Sequence, residues 1–138
     1  MLSIADTICN KDNLNSLLDA LISADLLNIL KESGPFTLFA PDDDAFARLD
    51  PIIAVDLMED IPELRKILLF HMANGKFSLI DLTGMDTLSS MEGSDLSVKT
   101  AYHEIKINDA LIIEEDIECT NGIVHIIDSV IFPSVVEF

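Results

Sequence analysis

The stretch "FTLFAPDDDAFARL", residues 36–49, places three consecutive aspartates between a strand-like run and a helix-like run. The run "FTLFA" is rich in residues that favour strands, and Pro41 ends it. Asp42 then precedes apolar residues at helical spacing, where a side-chain oxygen can accept an unpaired backbone N–H. Asp43 and Asp44 would occupy the first helical turn, where the helix dipole favours negative charge. We therefore predict a structural role for Asp42 as the start of a helix.

Three neighbouring carboxylates are also compatible with an acid/base site or a metal site. A cation site needs oxygen ligands that converge from more than one part of the chain. Successive residues of one helical turn point in different directions, so at most two of the three could share an ion. The acidic run at residues 114–118 could approach them, although nothing in the sequence indicates that it does. A helix start accounts for all three aspartates, so we predict neither a metal site nor catalysis.

The overall charge of the chain limits its partners. Its 138 residues carry a formal net charge of −17, with only eight Lys and Arg. Nucleic acid and anionic lipid both require clustered basic residues, so neither is expected to bind. A cationic partner, a cation-rich medium or solubility alone would each suit such an acidic surface.

The sequence shows neither a membrane span nor a secretion signal. No stretch reaches the roughly 18 apolar residues that a spanning helix requires. Met1 is followed by "LSIADTI", which has neither a basic start nor a long apolar run. Two explanations stay open: the protein remains in the cytoplasm, or a signal has been removed from this sequence.

Helical and strand-like patterns divide the chain into two halves. Apolar residues recur at helical spacing over residues 4–32, and "PELRKILLFHM", from Pro62, continues the helical pattern. After the turn "NGK" the sequence changes to short, β-branched, alternating runs. The strands expected there are "LSVKT", "HEIKIN", "ALIIEEDIEC" and "IVHIIDSVIF". This order predicts an α+β fold in a single domain over residues 1–138.

The cysteines and histidines show no catalytic or metal-binding spacing. Cys9 and Cys119 have no ligand at motif distance, and the sequence leaves open whether they pair or stay free. His71 and His125 lie in apolar segments, which favours neutral buried side chains over acid/base groups or ligands. His103, in "AYHEI", is expected to be exposed. No nucleophile elbow, glycine-rich phosphate loop or HExxH motif is present, so we predict no enzyme and no cofactor.

Several segments together resemble the fasciclin domain family. The stretch at residues 36–49 resembles its first signature, a strand followed by "FAP", a cap, an acidic residue and "AF". "NGIVHIIDSVIFP", residues 121–133, resembles its second signature. "ILLFHMANGKFSLIDL" is similar to the central segment, where a Tyr–His pair precedes a "PGK" turn. "ADTICNKDNLNSLLDALISADLLNILKESGPF" matches the opening helices, so the resemblance runs over residues 3–133.

The resemblance implies both a fold and a class of function. Fasciclin domains have a twisted, wedge-shaped β-sandwich with several helices packed over one side, and the two signatures lie on neighbouring central strands. Members are typically non-enzymatic adhesion or interaction modules of the cell surface or extracellular space. The resemblance therefore implies a protein or matrix partner. The lack of a spanning segment separately predicts no membrane insertion.

The central segment is where the family implies a partner-binding site. In animal members the Tyr–His pair and its apolar flanks are tied to integrin binding. The corresponding residues here are Phe70, His71 and Met72, and Asn74 replaces the usual proline of the turn. Because Phe70 lacks the hydroxyl, an integrin-like contact is not expected, and a partner surface here would be apolar. Packing in the core would explain the three residues equally well.

Asp128 is the one acidic residue of an otherwise apolar strand. A buried charge requires partners, so we hypothesise that its carboxylate accepts hydrogen bonds from the backbone near the "FAP" turn. Such bonds would join the two signatures. Replacing Asp128 by alanine would then cost several kcal/mol of folding free energy.

Two alternative functions remain open from the sequence. Some algal members bind carotenoids, and a carrier of this type would need an exposed apolar groove. Four methionines could line one: Met58, Met72, Met85 and Met91. Methionines at such positions more often fill gaps in a core. An intracellular protein-interaction domain is the alternative if the protein stays in the cytosol.

Overall fold

The computed structural model describes residues 2–102 and 104–132. The helices are α1 (Ile4–Asn10), α2 (Asn15–Ser23), a 3-10 helix (Ile29–Lys31), α3 (Asp43–Ala47), α4 (Pro51–Glu59), α5 (Ile61–Phe70) and α6 (Leu79–Thr83). The strands are β1 (Phe36–Pro41), β2 (Met72–Asn74), β3 (Thr87–Ser89), β4 (Asp95–Ala101), β5 (Glu104–Ile107), β6 (Ala110–Cys119) and β7 (Gly122–Ile127). This content confirms the predicted α+β fold.

The seven strands form one mixed sheet in the order β2-β1-β7-β6-β5-β4-β3. Only β1 and β7 pair in parallel, and every other neighbouring pair is antiparallel. The two ends of the sheet approach each other, because the Met91 N–H, just after β3, donates to the Met72 carbonyl of β2 at 2.8 Å. The sheet therefore curls until it is nearly barrel-shaped.

The parallel pair β1–β7 lies at the centre of the molecule and carries both signature segments, as the family resemblance predicts. Its register runs from Phe36 opposite Gly122 to Pro41 opposite Ile127. Every residue of both strands is buried. Continuous apolar runs are typical of strands that are covered on both faces, which explains why neither signature alternates with polar residues.

Side chains of β1 and β7 alternate between two hydrophobic cores, because successive strand residues point to opposite faces. Leu38 and Val124 face the helical core, which contains the buried faces of α1, α2 and α5. Phe39 and Ile127 face the sheet core, which contains the apolar residues of β4 and β5. The predicted helical layer on one side of the central strands is thus present.

The segment that follows α5 differs from the predicted helix. "PELRKILLFHM" was expected to stay helical to its end, but α5 ends at Phe70 and Met72 begins β2. The edge of β1 explains the change, because its backbone needs partners: Leu38 pairs with Met72, and the Phe39 N–H donates to the His71 carbonyl at 2.8 Å. Tertiary hydrogen bonding overrides the local helical pattern here.

Two further elements differ from the sequence-based prediction. Helix α6 was not predicted, although Ser78 and Asp81 form a reciprocal capping box at its start. The last strand was predicted to continue through Phe132, whereas β7 ends at Ile127 and a bend follows. Pro133 lies outside the described residues.

The turn before β7 connects four elements through Asn121. The Asn121 side-chain amide donates to the carbonyls of Leu30 and Glu32, at 2.6 and 2.8 Å, and its oxygen accepts from the Ile4 N–H at 2.9 Å. Its backbone carbonyl accepts from the Phe36 N–H at 2.9 Å. A single buried side chain therefore holds α1 and the 3-10 helix against the start of the parallel pair.

Gly122 should be the position of the strand pair least tolerant of substitution. A Cβ added there would lie 1.9 Å from the Phe36 carbonyl oxygen, and the backbone φ is +155°. We expect Gly122→Ala to lower the free energy of unfolding by about 3 kcal/mol or more, because backbone atoms must separate. Urea unfolding followed by circular dichroism measures this loss.

Gly84→Ala is the matched control, because an added Cβ there meets only the Asp81 carbonyl oxygen at 3.8 Å. Its effect should stay within about 1 kcal/mol. Equal losses for the two variants would contradict the proposed importance of close approach between β1 and β7.

Candidate functional site

The segment predicted to bind a partner lies inside the protein. Phe70 and Met72 are fully buried, Phe70 in the sheet core and Met72 in the helical core. His71, between them, is 1% exposed. The expected apolar contact surface formed by these three side chains is therefore absent from this structure. The physical reason is that α5 ends here against β1, which turns all three side chains inward.

His71 is a neutral structural histidine that joins α5 to the end of the described chain. Its Nδ1 donates to the Ile67 carbonyl at 2.7 Å, and its Nε2 accepts from the Ile131 N–H at 3.1 Å. A carbonyl can only accept and an N–H can only donate, so the proton must be on Nδ1. Burial lowers the pKa of His71 to about 4, although the bond to Ile67 acts in the opposite direction.

His125 has the opposite tautomer and a similar structural role. Its Nε2 donates to the Phe77 carbonyl at 2.8 Å, and its Nδ1 accepts from the Asp116 N–H at 3.2 Å. Its ring stacks on that of Phe39, with 5.8 Å between centroids. Burial lowers the pKa of His125, and the bond to Phe77 partly opposes the shift. Both ring nitrogens are therefore used by backbone groups.

Two of the three aspartates of the opening stretch stabilise helices through side-chain hydrogen bonds. Asp42 Oδ1 accepts from the Ala45 N–H at 2.8 Å, which caps α3. Asp43 Oδ1 accepts from the Ser16 N–H at 2.7 Å, which joins α3 to the first turn of α2. Within residues 2–102 and 104–132, no three His, Cys, Asp or Glu side chains are grouped so that they could hold a metal ion.

Asp128 has different partners from those that the sequence suggested. Its carboxylate accepts from the Leu111 N–H at 2.9 Å and from the Ser129 hydroxyl at 3.3 Å, and it lies 3.7 Å from the Arg48 guanidinium. The hypothesis of hydrogen bonds from the "FAP" turn is therefore wrong. The side chain is 28% exposed, so its charge keeps part of its hydration. Asp128 joins β7 to the start of β6 and to the end of α3.

The two cysteines are free thiols in this structure. Thr7, on α1, faces Cys119, with 3.3 Å between Oγ1 and Sγ. Cys9 lies two residues further along the same helix and therefore points to the opposite side, where it is exposed. Burial raises the pKa of the Cys119 thiol, which makes it a weak nucleophile.

The methionines suggested for a ligand groove do not share one. Met72 is fully buried in the helical core, against which Met91 also packs. Met85 packs against the sheet core, on the other face of the central strands. Met58 is exposed on α4. Their separation removes the observation on which the carotenoid-type carrier depended.

An exposed apolar surface at α4 was not predicted from the sequence. Five large apolar side chains of α4 and of the first position of α5 are between 37% and 71% exposed: Ile52, Ile53, Val55, Met58 and Ile61. Beside them a groove of about 270 Å³ opens between α4 and α5. The signal was available in "PIIAVDLMED", where apolar residues follow one another without helical spacing. One helix face cannot bury so many side chains, so some had to remain outside.

Comparisons with known proteins agree with this architecture. The family profile described as the Fasciclin domain matches residues 12–133. Uncharacterized protein sll1735 of Synechocystis sp. is 40% identical over 132 residues, which is 95% of this chain and 98% of that protein. The chain therefore belongs to the Fasciclin domain family.

Two further matches are one protein that is similar in sequence and one solved structure that is similar in fold. Cell surface glycolipoprotein MPB83 of Mycobacterium bovis is 31% identical over 100 residues, which is 72% of this chain and 44% of that protein. A solved FAS1 domain pair from the insect cell adhesion molecule Fasciclin I matches with a TM-score of 0.75 and 18% identity. The match covers 95% of this chain and 51% of that one, and it establishes the shared fold.

The depressed pKa of His71 predicts a pH-dependent contribution to stability. Between pH 6.5 and about 4 the unfolded chain binds a proton at His71 that the folded chain does not bind. The contribution is therefore fully present above pH 6.5 and is lost as the pH falls towards 4. It amounts to about 3 kcal/mol at most.

A comparison with His71→Gln isolates this contribution, because the carboxylates titrate in both proteins. Urea unfolding at pH 7 should show the variant to be less stable, and the difference should shrink steadily towards pH 4.5. A difference that stays constant over this range would mean that His71 has the same pKa in the folded and the unfolded chain, which would contradict the assignment.

The partners of Asp128 predict a moderate loss on truncation. Asp128→Ala removes the acceptor of the Leu111 N–H and the neighbour of Arg48. We expect the free energy of unfolding to fall by about 1–2 kcal/mol, since the carboxylate is only partly buried. Asp128→Asn retains an acceptor oxygen and should lose less than about 1 kcal/mol. Thermal unfolding tests both variants, and an unchanged melting temperature for Asp128→Ala would contradict the assignment.

Proposed function

We propose that this protein is a non-enzymatic adhesion or interaction module that acts at the cell surface or in the extracellular space. The observation that carries the proposal is the match of the Fasciclin domain over residues 12–133. The named relatives that support it are a cell surface glycolipoprotein and a cell adhesion molecule. Its partner is accordingly a protein or a component of the matrix.

The use of polar groups in the interior supports a role without catalysis. Within the described part of the chain, every buried side-chain nitrogen and oxygen has a hydrogen-bond partner. His71 and His125 each give both ring nitrogens to the backbone, so neither can relay a proton to a substrate. Catalytic groups, by contrast, must face a cleft that a substrate can enter.

The charge of the surface favours a cationic partner. The chain carries 25 acidic and eight basic residues, and several of the basic side chains are already engaged. Lys11 pairs with Glu114, Lys76 pairs with Glu118, and Arg48 pairs with Asp128. Long-range attraction would therefore steer a basic protein towards this surface and repel an acidic one.

The location of the protein is the first test of this proposal. Intact cells that make the protein are treated with a protease that cannot cross the membrane, and the remaining protein is then quantified. We expect it to be recovered in the medium or to be degraded on intact cells, while a cytosolic marker stays whole. Complete protection until the cells are lysed would contradict the proposed location and favour an intracellular interaction domain.

Adhesion is measured separately with beads. Beads coated with the folded protein should retain matrix proteins or cells from the same source more than beads coated with an unrelated protein of equal net charge. Equal retention by the two coatings would reject adhesion even if the protein lies outside the cell.

Within the described residues, no helix combines the length and apolar character needed to cross a membrane.

A further inference from the structure

Helix α4 exposes more large apolar side chains than is usual for a helix on the surface of a globular protein. Of its nine residues, only Leu57 is fully buried, although Ile52, Ile53 and Val55 are all large and apolar. We call the exposed set Ile52, Ile53, Val55 and Met58 of α4, together with Ile61 at the start of α5, the α4 surface. Of these residues Ile53 also lines the neighbouring groove. A helix that is apolar on several faces is normally buried against other elements, and apolar surface left exposed in this way is typical of an interaction site.

The groove beside the α4 surface has an apolar floor. Its four apolar lining residues come from α4, from α5 and from the end of the described chain: Ile53, Leu57, Ile67 and Phe132. Its volume of about 270 Å³ lies below the roughly 300–1,000 Å³ of sites for drug-sized ligands. The groove therefore suits one or two side chains of a partner better than a free small molecule.

The rim of the same groove is entirely acidic. Its remaining lining residues are Asp56, Asp60 and Glu63, and among residues 2–102 and 104–132 no lysine, arginine or histidine lines it. The two basic residues of α5 do not neutralise the negative charge of the rim. Arg65 donates to the Ala24 carbonyl at 2.5 Å, away from the groove, and Lys66 does not line it.

The charge of this rim discriminates between possible occupants. A second copy docked through the same surface would bring Asp56, Asp60 and Glu63 against their own counterparts, which is unfavourable. An anionic membrane would be repelled by the same carboxylates. A segment with apolar side chains on one face and Lys or Arg on either side satisfies both the floor and the rim.

We propose that the α4 surface and its groove bind a basic amphipathic segment of a partner protein. Its apolar side chains enter the groove over Leu57 and Ile67, and its cations pair with the carboxylates of the rim. The inference rests on the proposed function, because it gives the interaction module a surface and its partner a chemistry. A segment with helical spacing of apolar residues is the form best matched to a groove between two helices.

The direct test uses a synthetic peptide of about 18 residues, made of leucine and lysine with leucine at helical spacing. Isothermal titration calorimetry should detect binding to the full chain, and the affinity should fall as salt rises from about 0.05 M to about 0.3 M. A peptide with glutamate in place of lysine should not bind. No binding of the lysine peptide at low salt would overturn the proposal.

Two matched pairs of variants locate the binding. Ile53→Ser should weaken it about tenfold, whereas Ile80→Ser, which changes an isoleucine that is 80% exposed on α6, should leave it unchanged. The double variant Asp56→Asn with Glu63→Gln should weaken binding and reduce its salt dependence. Asp19→Asn with Glu104→Gln removes the same net charge elsewhere and should have little effect.

The outcomes separate this proposal from its competitors. Equal weakening by both members of each pair would mean non-specific electrostatic attraction and would reject the α4 surface as the site. A dimer that sedimentation detects and that Ile53→Ser dissociates would assign the surface to a second copy instead. Peptide binding that appears only in a variant ending at Phe132 would assign it to residues 133–138 of the chain itself.

The experiments distinguish a failure of the proposed function from a failure of the proposed binding at the α4 surface. If the bead assay shows adhesion that Ile53→Ser does not change and the peptide does not compete, the module binds through another surface and only this inference fails. If peptide binding follows the α4 surface but the protein is wholly cytosolic, the surface is real and the extracellular role is rejected.

Discussion

The close approach of β1 and β7 is the constraint on which the rest of the structure depends. The two strands begin with Phe36 opposite Gly122. The Phe36 backbone lies so close to Gly122 that no side chain would fit at this position. Parallel strands cannot be joined by a short turn, so the intervening chain must return over a long path. Most of the helices and the other five strands lie along that path, and the buried Asn121 side chain at its end binds the 3-10 helix that precedes β1. The pairing therefore organises both cores at once.

The polar chemistry of the interior serves that architecture. His71 joins α5 to Ile131, and His125 joins β7 to the bulged strand β6 and to Phe77. Each imidazole has one donor and one acceptor, and each finds one backbone acceptor and one backbone donor. Burial without such partners would cost more than either histidine contributes by packing. Both histidines are thus engaged in hydrogen bonds that hold the fold together.

The α4 surface is a second place where the local sequence and the completed fold disagree, after the strand residue Met72 at the end of a helical pattern. In natural proteins the structure that the local sequence favours generally agrees with the global fold, and the exceptions are concentrated at functional sites. Ile52, Ile53 and Val55 are each at least half exposed, so each contributes less to the stability of the chain than a buried side chain of its size would. The acidic rim beside it makes the surface selective, since the same carboxylates that attract a basic segment repel anionic lipid and a second copy. Exposure and selectivity together are what an interaction module needs.

Sequence patterns within one helical turn predict some features of this structure, and contacts between residues distant in the chain decide the others. The cap at Asp42 and the helices of the first half follow from residues within a turn of each other, so the sequence alone determined them, together with the family and its fold class. Only the tertiary structure decided that Met72 is a strand residue, that Phe70 is inside, and that Asp128 meets Leu111. Those outcomes depend on hydrogen-bond partners and neighbours distant in the chain. The same holds for α4: its apolar composition is visible in the sequence, but its exposure is set by how few elements the completed fold packs against it.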